Sequence, residues 1–172
     1  MKKKLAILLM TVLLMGCAAP NQEKVNDLEK RVSVLEDQEA LRRLVDTFSN
    51  LADVKDARAQ TFLFTENATV ETLRNGEVVS KLEGREQIGT AFGNFLNNFK
   101  TVYHMNGQHT VTVDGDNATG VLYCMTVLIT PDNNKTTIGV RYNDEYVKVE
   151  GQWLIAKRTS YFEWQEVTSI GQ

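Results

Sequence analysis

Three polar side chains stand in otherwise apolar stretches of this chain, and their types are those of acid–base and charge-stabilising chemistry. Asp53 follows Phe48-Ser49-Asn50-Leu51-Ala52 at the predicted C-terminal end of a helix, where a negative charge opposes the helix dipole. Either it N-caps the next helix, with Asp56 as a partial capping box, or it serves a site. His104, in Val102-Tyr103-His104-Met105, opens a predicted strand. A lone histidine there is either a packed side chain or a proton carrier. Arg158 ends Trp153-Leu154-Ile155-Ala156-Lys157-Arg158, and period-two alternation puts it on one face with Leu154, Ala156, Ser160 and Phe162. A guanidinium on so apolar a face needs a buried carboxylate or an anionic ligand.

Other chemistries are poorly provided for. His104 and His109 are the only histidines, and no Cys-x-x-Cys, His-x-His or His-Glu-x-x-His spacing occurs, so no metal site is expected. A Gly-x-Ser-x-Gly elbow, a phosphate-binding glycine loop and a dinucleotide fingerprint are likewise missing. Cys124 lies in the apolar run Val121 to Ile129 and reads as an inert core thiol. With 19 Lys+Arg against 22 Asp+Glu and no basic stripe, nucleic acid is not an expected partner.

The elements that must position these residues follow from periodicity. Val25, Leu28, Val32 and Leu35 repeat like a short coiled-coil seam, and Leu41, Leu44, Val45, Phe48 and Leu51 continue with globular spacing. One long N-terminal helix, broken near Asp37, covers both. Its first half either packs across a second subunit or spaces the domain from a membrane. A short helix is predicted over Lys55 to Phe64, capped by Asp53 or Asp56. Residues 68–73 and 77–82 form a hairpin around Asn75-Gly76, a pair suited to a primed turn. A third helix runs from Gly84 to Phe99, followed by four long strands over 101–113, 118–130, 136–149 and 152–164. Helices early and sequential strands late predict an α+β fold. In it a strongly curved antiparallel sheet forms a cone with three helices on its concave side. His109 faces the inside of such a cone only if Asn106-Gly107 forms a bulge, and it is read as structural.

The first residues are an address. Lys2, Lys3 and Lys4 precede the eleven-residue apolar run Leu5 to Met15, too short to span a bilayer but suited to a signal sequence. Leu14-Met15-Gly16-Cys17 resembles a bacterial lipobox, which implies cleavage after residue 16 and a diacylglyceryl thioether on Cys17; the alternative is ordinary signal cleavage near Ala18 or Ala19. Residues 1–16 are thus expected to be a signal peptide, 17–24 a lipidated tether and 25–172 the folded domain. Acyl chains on Cys17 would hold the protein on the cell envelope. In a Gram-negative cell, Ala18 after the cysteine implies the periplasmic face of the outer membrane. With Cys17 lipidated, Cys124 has no disulfide partner.

Two stretches carry a family resemblance. Arg31-Val32-Ser33-Val34-Leu35-Glu36-Asp37-Gln38-Glu39-Ala40-Leu41-Arg42-Arg43-Leu44 with Asp53-Val54-Lys55-Asp56 resembles the opening of SnoaL-like proteins in the nuclear transport factor 2 superfamily. Arg141 to Tyr146, Gly151-Gln152-Trp153 and Lys157-Arg158 are similar to the closing strands of its lindane dehydrochlorinase and bile-acid 7α-dehydratase branch. The likeness spans about Leu28 to Trp164. It implies the cystatin-like α+β cone and a pocket served by Asp53, His104 and Arg158. By that analogy His104 removes a proton from a substrate carbon, Asp53 orients its ring, and Arg158 stabilises charge on a leaving group or enolate. The chain departs from the pattern by offering Phe48 and Ala52, not a tyrosine, beside the aspartate. The region Gly120 to Met125 also lacks the second histidine of scytalone dehydratase. Phe48, Tyr123, Tyr142 and Tyr161 are the expected substrate-binding side chains.

Two functions follow as expectations. One is a membrane-anchored lyase or isomerase, of dehydratase or dehydrohalogenase type, that needs no cofactor and acts on a small hydrophobic molecule. The other is a non-catalytic envelope lipoprotein that binds a small ligand or another protein, since one fold hosts many functions. A homo-oligomer joined through the sheet or the N-terminal helix fits either.

Overall fold

The computed structural model describes residues 21–171. The signal sequence and the lipidation site expected at Cys17 lie outside these residues. Among the described residues no helix is long and apolar enough to cross a membrane.

Asn21 caps the first helix by accepting from the Glu23 amide at 3.1 Å, so α1 (Gln22–Asp53) begins inside the segment expected to be a tether. Nor does α1 break at Asp37. That carboxylate instead accepts from the Trp153 indole at 2.9 Å and meets Lys148 Nζ at 2.5 Å, pinning the middle of the helix to the sheet. Burial opposes its charge, but these two donors outweigh that and hold its pKa below the ordinary carboxylate value. On the N-terminal side of this clamp Leu28, Val32 and Leu35 are exposed; on the other side Leu41, Leu44, Val45, Phe48 and Ala52 are buried.

Asp56, not Asp53, caps the short helix α2 (Ala57–Thr61), accepting from the Ala59 amide at 2.9 Å. The helix is shorter than expected because the chain turns at Phe62-Leu63 and enters β1 (Phe64–Arg74). Asn75 and Gly76 have φ of 52° and 81°, the positive pair a two-residue primed turn requires, and lead into β2 (Glu77–Glu83). The third helix, α3 (Arg85–Leu96), stops three residues before the predicted Phe99. The remaining strands are β3 (Thr101–Asp114), β4 (Asn117–Ile129), β5 (Asn134–Val149) and β6 (Gln152–Ser169), with β6 running five residues past Trp164.

The six strands form one sheet in the order β2-β1-β6-β5-β4-β3. The pairings are antiparallel, as expected, except for β1 with β6, which is parallel. Helix α1 packs along β3 and α3 against β1. Phe48 of α1, Phe64 of β1 and Phe92 of α3 meet edge to face, with centroids 5.9 to 6.1 Å apart, and lock these three elements into one apolar corner. Three helices and one six-stranded sheet make this the expected α+β fold.

Bulges bend the sheet and reset which side chains face inward. In β3, Gly107 and Gln108 together oppose Tyr123, so Val102, His104 and Asn106 point inward before the bulge and His109 and Val111 after it. In β6 the register shifts at Ala156: Trp153 and Ile155 are buried, then Arg158 and Ser160. The expectation that Leu154 and Ala156 share the face of Arg158 therefore fails, because an extra residue inverts the alternation between them.

Candidate functional site

A cavity of about 310 Å³ opens between the helices and the inner face of the sheet. Its walls are mostly apolar, with Phe48, Phe92, Phe95 and Leu96 supplied by helices α1 and α3. Into these walls the sheet sets His104, Thr126, Tyr142, Arg158 and Ser160, and α2 adds Gln60. A concave apolar site with a few converging polar groups is the usual form of a small-molecule pocket.

Asp53 is the last residue of α1, and because Asp56 does the capping its carboxylate is left for other use. Its Oδ1 lies 2.7 Å from Nδ1 of His104, with the histidine side chain 8% exposed and the aspartate 25%. Burial lowers the His104 pKa below its ordinary 6.5; the Asp53 hydrogen bond and charge oppose that shift, and the Arg158 cation adds to it. The ring is neutral at pH 7. With Nδ1–H donating to Asp53, the free lone pair is on Nε2, which makes His104 a base.

Arg158 is fully buried and tied to Asp144 of the neighbouring strand. Nε donates to Oδ1 at 2.8 Å and Nη2 to Oδ2 at 2.6 Å, with both side chains 1% exposed. The guanidinium lies between the rings of Phe48 and Tyr142, 4.3 and 4.4 Å from their centroids. Burial works against its charge, but Asp144 more than compensates and raises the pKa. Nη1 has no hydrogen-bond partner, so neither of its N–H groups is committed.

Behind Arg158 runs a buried polar chain. Tyr146 donates its hydroxyl to Asp144 Oδ2 at 2.9 Å, and its oxygen accepts from His109 Nε2 at 3.3 Å. Burial raises the Tyr146 and Tyr142 phenols above their ordinary range, so both keep their protons. Sequence reasoning missed Asp144, Tyr146 and Gln60. For Asp144 a signal existed: Tyr142, Asp144 and Tyr146 share a strand face by alternation, and Arg158 demanded a carboxylate. Gln60 gave none, because a single amide in a short polar helix looks like solvent-facing sequence.

Of the expected substrate-binding side chains, Phe48 and Tyr142 line the cavity. Tyr123 and Tyr161 do not. Tyr123 is on the outer face of β4, half exposed opposite the β3 bulge. Tyr161 is also on the outer face, under the Arg141 guanidinium at 4.0 Å. Cys124 is buried in the sheet, where burial raises its thiol pKa. Among the described residues no group of three or more His, Cys, Asp or Glu could hold a metal ion.

Known proteins share this architecture. Uncharacterized proteins of Mycobacterium tuberculosis and Mycobacterium bovis are 25% identical over 130 residues, spanning 74% of this chain and 86% of theirs. The solved structure of a scytalone dehydratase candidate from Novosphingobium aromaticivorans superposes with a TM-score of 0.73 at 18% identity, over 82% of this chain and 93% of that one. A type 3 hexachlorocyclohexane dehydrochlorinase from Novosphingobium barchaimii gives 0.69 at 16% identity, over 80% and 94%. A nuclear transport factor 2-like protein with a cystatin-like fold, also from Novosphingobium aromaticivorans, gives 0.68 at 21% identity, over 86% and 92%. At such identities the likeness establishes the fold. The model of the SnoaL-like domain matches residues 33–159, which takes in Asp53, His104 and Arg158, and the chain belongs to that family.

Proposed function

We propose that this protein is a cofactor-independent lyase or isomerase, of dehydratase or dehydrohalogenase type, acting on a small hydrophobic molecule inside the cavity. The observation that carries the reading is the 2.7 Å Asp53–His104 contact in the wall of the cavity that Arg158 also lines. Nε2 of neutral His104 takes a proton from a substrate carbon, and Asp53 stabilises the imidazolium that forms. The electron pair of the broken C–H bond becomes the second bond of an alkene. The leaving group departs with its own pair, as halide or as hydroxide, and hydroxide recovers the proton from His104 as water. Arg158 Nη1 stabilises the negative charge on an enolate oxygen or on the leaving group. The neighbours described as a dehydrochlorinase and a scytalone dehydratase candidate support the same reaction class.

His104→Ala and Asp53→Asn test this on hydroxylated steroids, polyketide-like phenols and haloalkanes. Each substitution is expected to slow alkene formation, His104→Ala by a factor of about 10² or more, and turnover left undiminished by both would exclude the dyad. A purely binding role has one observation in its favour: Asp144 already neutralises Arg158, so the site needs no anion to be electrostatically complete. That role predicts ligand binding with no product from any of the panel.

The protein acts on the cell envelope, anchored through lipid on Cys17. Incorporation of a labelled fatty acid into the wild-type protein but not into Cys17→Ser would support the anchor, and equal labelling of both would remove it.

A further inference from the structure

The N-terminal half of α1 carries an apolar stripe that its own domain does not cover. No residue from Gln22 to Glu36 is buried, and Leu28, Val32 and Leu35 are exposed. Apolar side chains lined up on one helix face, unlike scattered ones, mark an interaction surface. At about 100° per residue, Val25, Leu28, Val32 and Leu35 centre roughly 160° around the helix axis from the buried Leu41, Leu44, Val45, Phe48 and Ala52. The stripe therefore faces away from the domain that holds the rest of the helix.

We propose that its partner is a second copy of this chain, joined through a parallel, in-register coiled coil over residues 22–36. Val25 and Val32 take the a positions and Leu28 and Leu35 the d positions, and a β-branched residue at a with leucine at d favours two parallel strands. The flanking charges select the same arrangement. Lys24 and Arg31 fall at g, and Glu29 and Glu36 fall at e. In a parallel pair Lys24 meets Glu29 of the second copy and Arg31 meets Glu36 of the second copy, and the two-fold axis repeats both contacts. An antiparallel pair would set g against g and e against e, cation on cation and carboxylate on carboxylate. Among the described residues only Arg31 of these four has an ionic partner in its own chain, Asp27 at 3.8 Å, and both are so exposed that the pair competes weakly.

The seam ends where the domain begins. The next a and d positions are Glu39 and Arg42, bonded to each other within the helix at 3.1 Å, so the two helices can diverge there and leave room for the domains. A short seam suffices because the helix does not have to form on association. The Asp37 clamp and the buried face beyond it already hold α1, which removes the cost of nucleating a helix from the cost of pairing. Parallel helices also bring both N-termini to one end, in agreement with two chains anchored at Cys17 in one membrane. The inference is independent of the lyase reading.

Sedimentation equilibrium of the purified full chain in density-matched detergent, over a concentration series, tests this. The wild type should show a monomer–dimer equilibrium. Lys24→Glu with Arg31→Glu makes the e and g positions all acidic, and Glu29→Lys with Glu36→Lys makes them all basic. Each double variant alone should dissociate at least about tenfold more readily than the wild type. An equimolar mixture of the two should return to dimers, which also shows that both variants remain folded. Orientation is read by oxidative cross-linking: Val32→Cys should join to itself across the seam, whereas Ser33→Cys, one position round the helix, should give no more dimer than the wild type. A wild type that is monomeric throughout the series, or trimeric, overturns the inference. So do dimers that persist in both double variants, which would move the association to another surface, and Ser33→Cys cross-linking as readily as Val32→Cys.

Discussion

His104 and His109 lie five positions apart on one strand and face the same interior, yet they have opposite hydrogen-bonding roles. An odd separation on a regular strand would send them to opposite faces, and the Gly107–Gln108 bulge restores them to one. His104 donates through Nδ1 to a carboxylate at 2.7 Å, which leaves Nε2 free on the cavity. His109 donates through Nε2 to a phenol at 3.3 Å, and that phenol is committed to Asp144. Burial lowers both pKa values. The difference is thus not the residue type or its burial but what the ring is bonded to and which nitrogen remains. One histidine is set up as a base, and the other ends a chain that holds Arg158 in place.

The sharpest way to break this division is to cut the supporting chain at Asp144. Asp144→Ala leaves the Arg158 guanidinium charged and buried without its carboxylate, so the loss should be about 3 to 5 kcal/mol of unfolding free energy in urea titration. An effect below about 1 kcal/mol would mean that the pair is not the structural centre of the interior. Next in size is the base itself. His104→Ala should lower kcat by a factor of about 10² to 10⁴ while the folded protein remains. A similar fall from His109→Ala would erase the distinction drawn between the two rings.

A pH profile sharpens the comparison further. Because the folded pKa of His104 is below 6.5, kcat/KM should be level at neutral pH and fall as acid protonates the ring below that value. Asp53 opposes the depression, so Asp53→Asn should move the limb to lower pH as well as lowering the plateau. Movement of the limb to higher pH would show that the carboxylate does not act on the ring as proposed.

The sequence held much of this arrangement, but unevenly. The Asn75-Gly76 turn, the strand breaks and the chemistry-bearing Asp53, His104 and Arg158 all announce themselves through local signals: turn formers, periodicity, and charge in apolar surroundings. What stayed hidden depends on events between distant residues. The parallel pairing of β1 with β6 has no local signature, since its partners are separated by most of the chain. The bulge at Ala156 carries neither glycine nor proline, so strict alternation placed the wrong neighbours beside Arg158. Tyr123 and Tyr161 were expected in the pocket on residue type alone, whereas their strand parity puts them on the outer face. Asp144 sits directly across from Arg158 in register, which becomes visible only once β5 and β6 are aligned.

The smallest predicted effect is the one that separates the histidines most cleanly. His109→Phe removes the donor to Tyr146 but leaves the bond from Tyr146 to Asp144, so the cost at pH 7 should be only about 1 kcal/mol. The folded protein disfavours the protonated His109 ring, because burial and the Arg158 and Arg42 cations outweigh Asp144 and Asp46. The unfolded chain therefore takes up a proton near pH 6.5 that the native state takes up only at lower pH, and stability falls on acidification through that interval. Without His109 that contribution disappears, and unfolding free energy should decline less steeply between pH 7 and 5 than in the wild type. Meanwhile the acidic limb of kcat/KM should stay where His104 puts it. A flatter stability profile together with an unmoved rate profile assigns the two titrations to two rings; a displaced rate limb would couple His109 to the chemistry through Tyr146, Asp144 and Arg158.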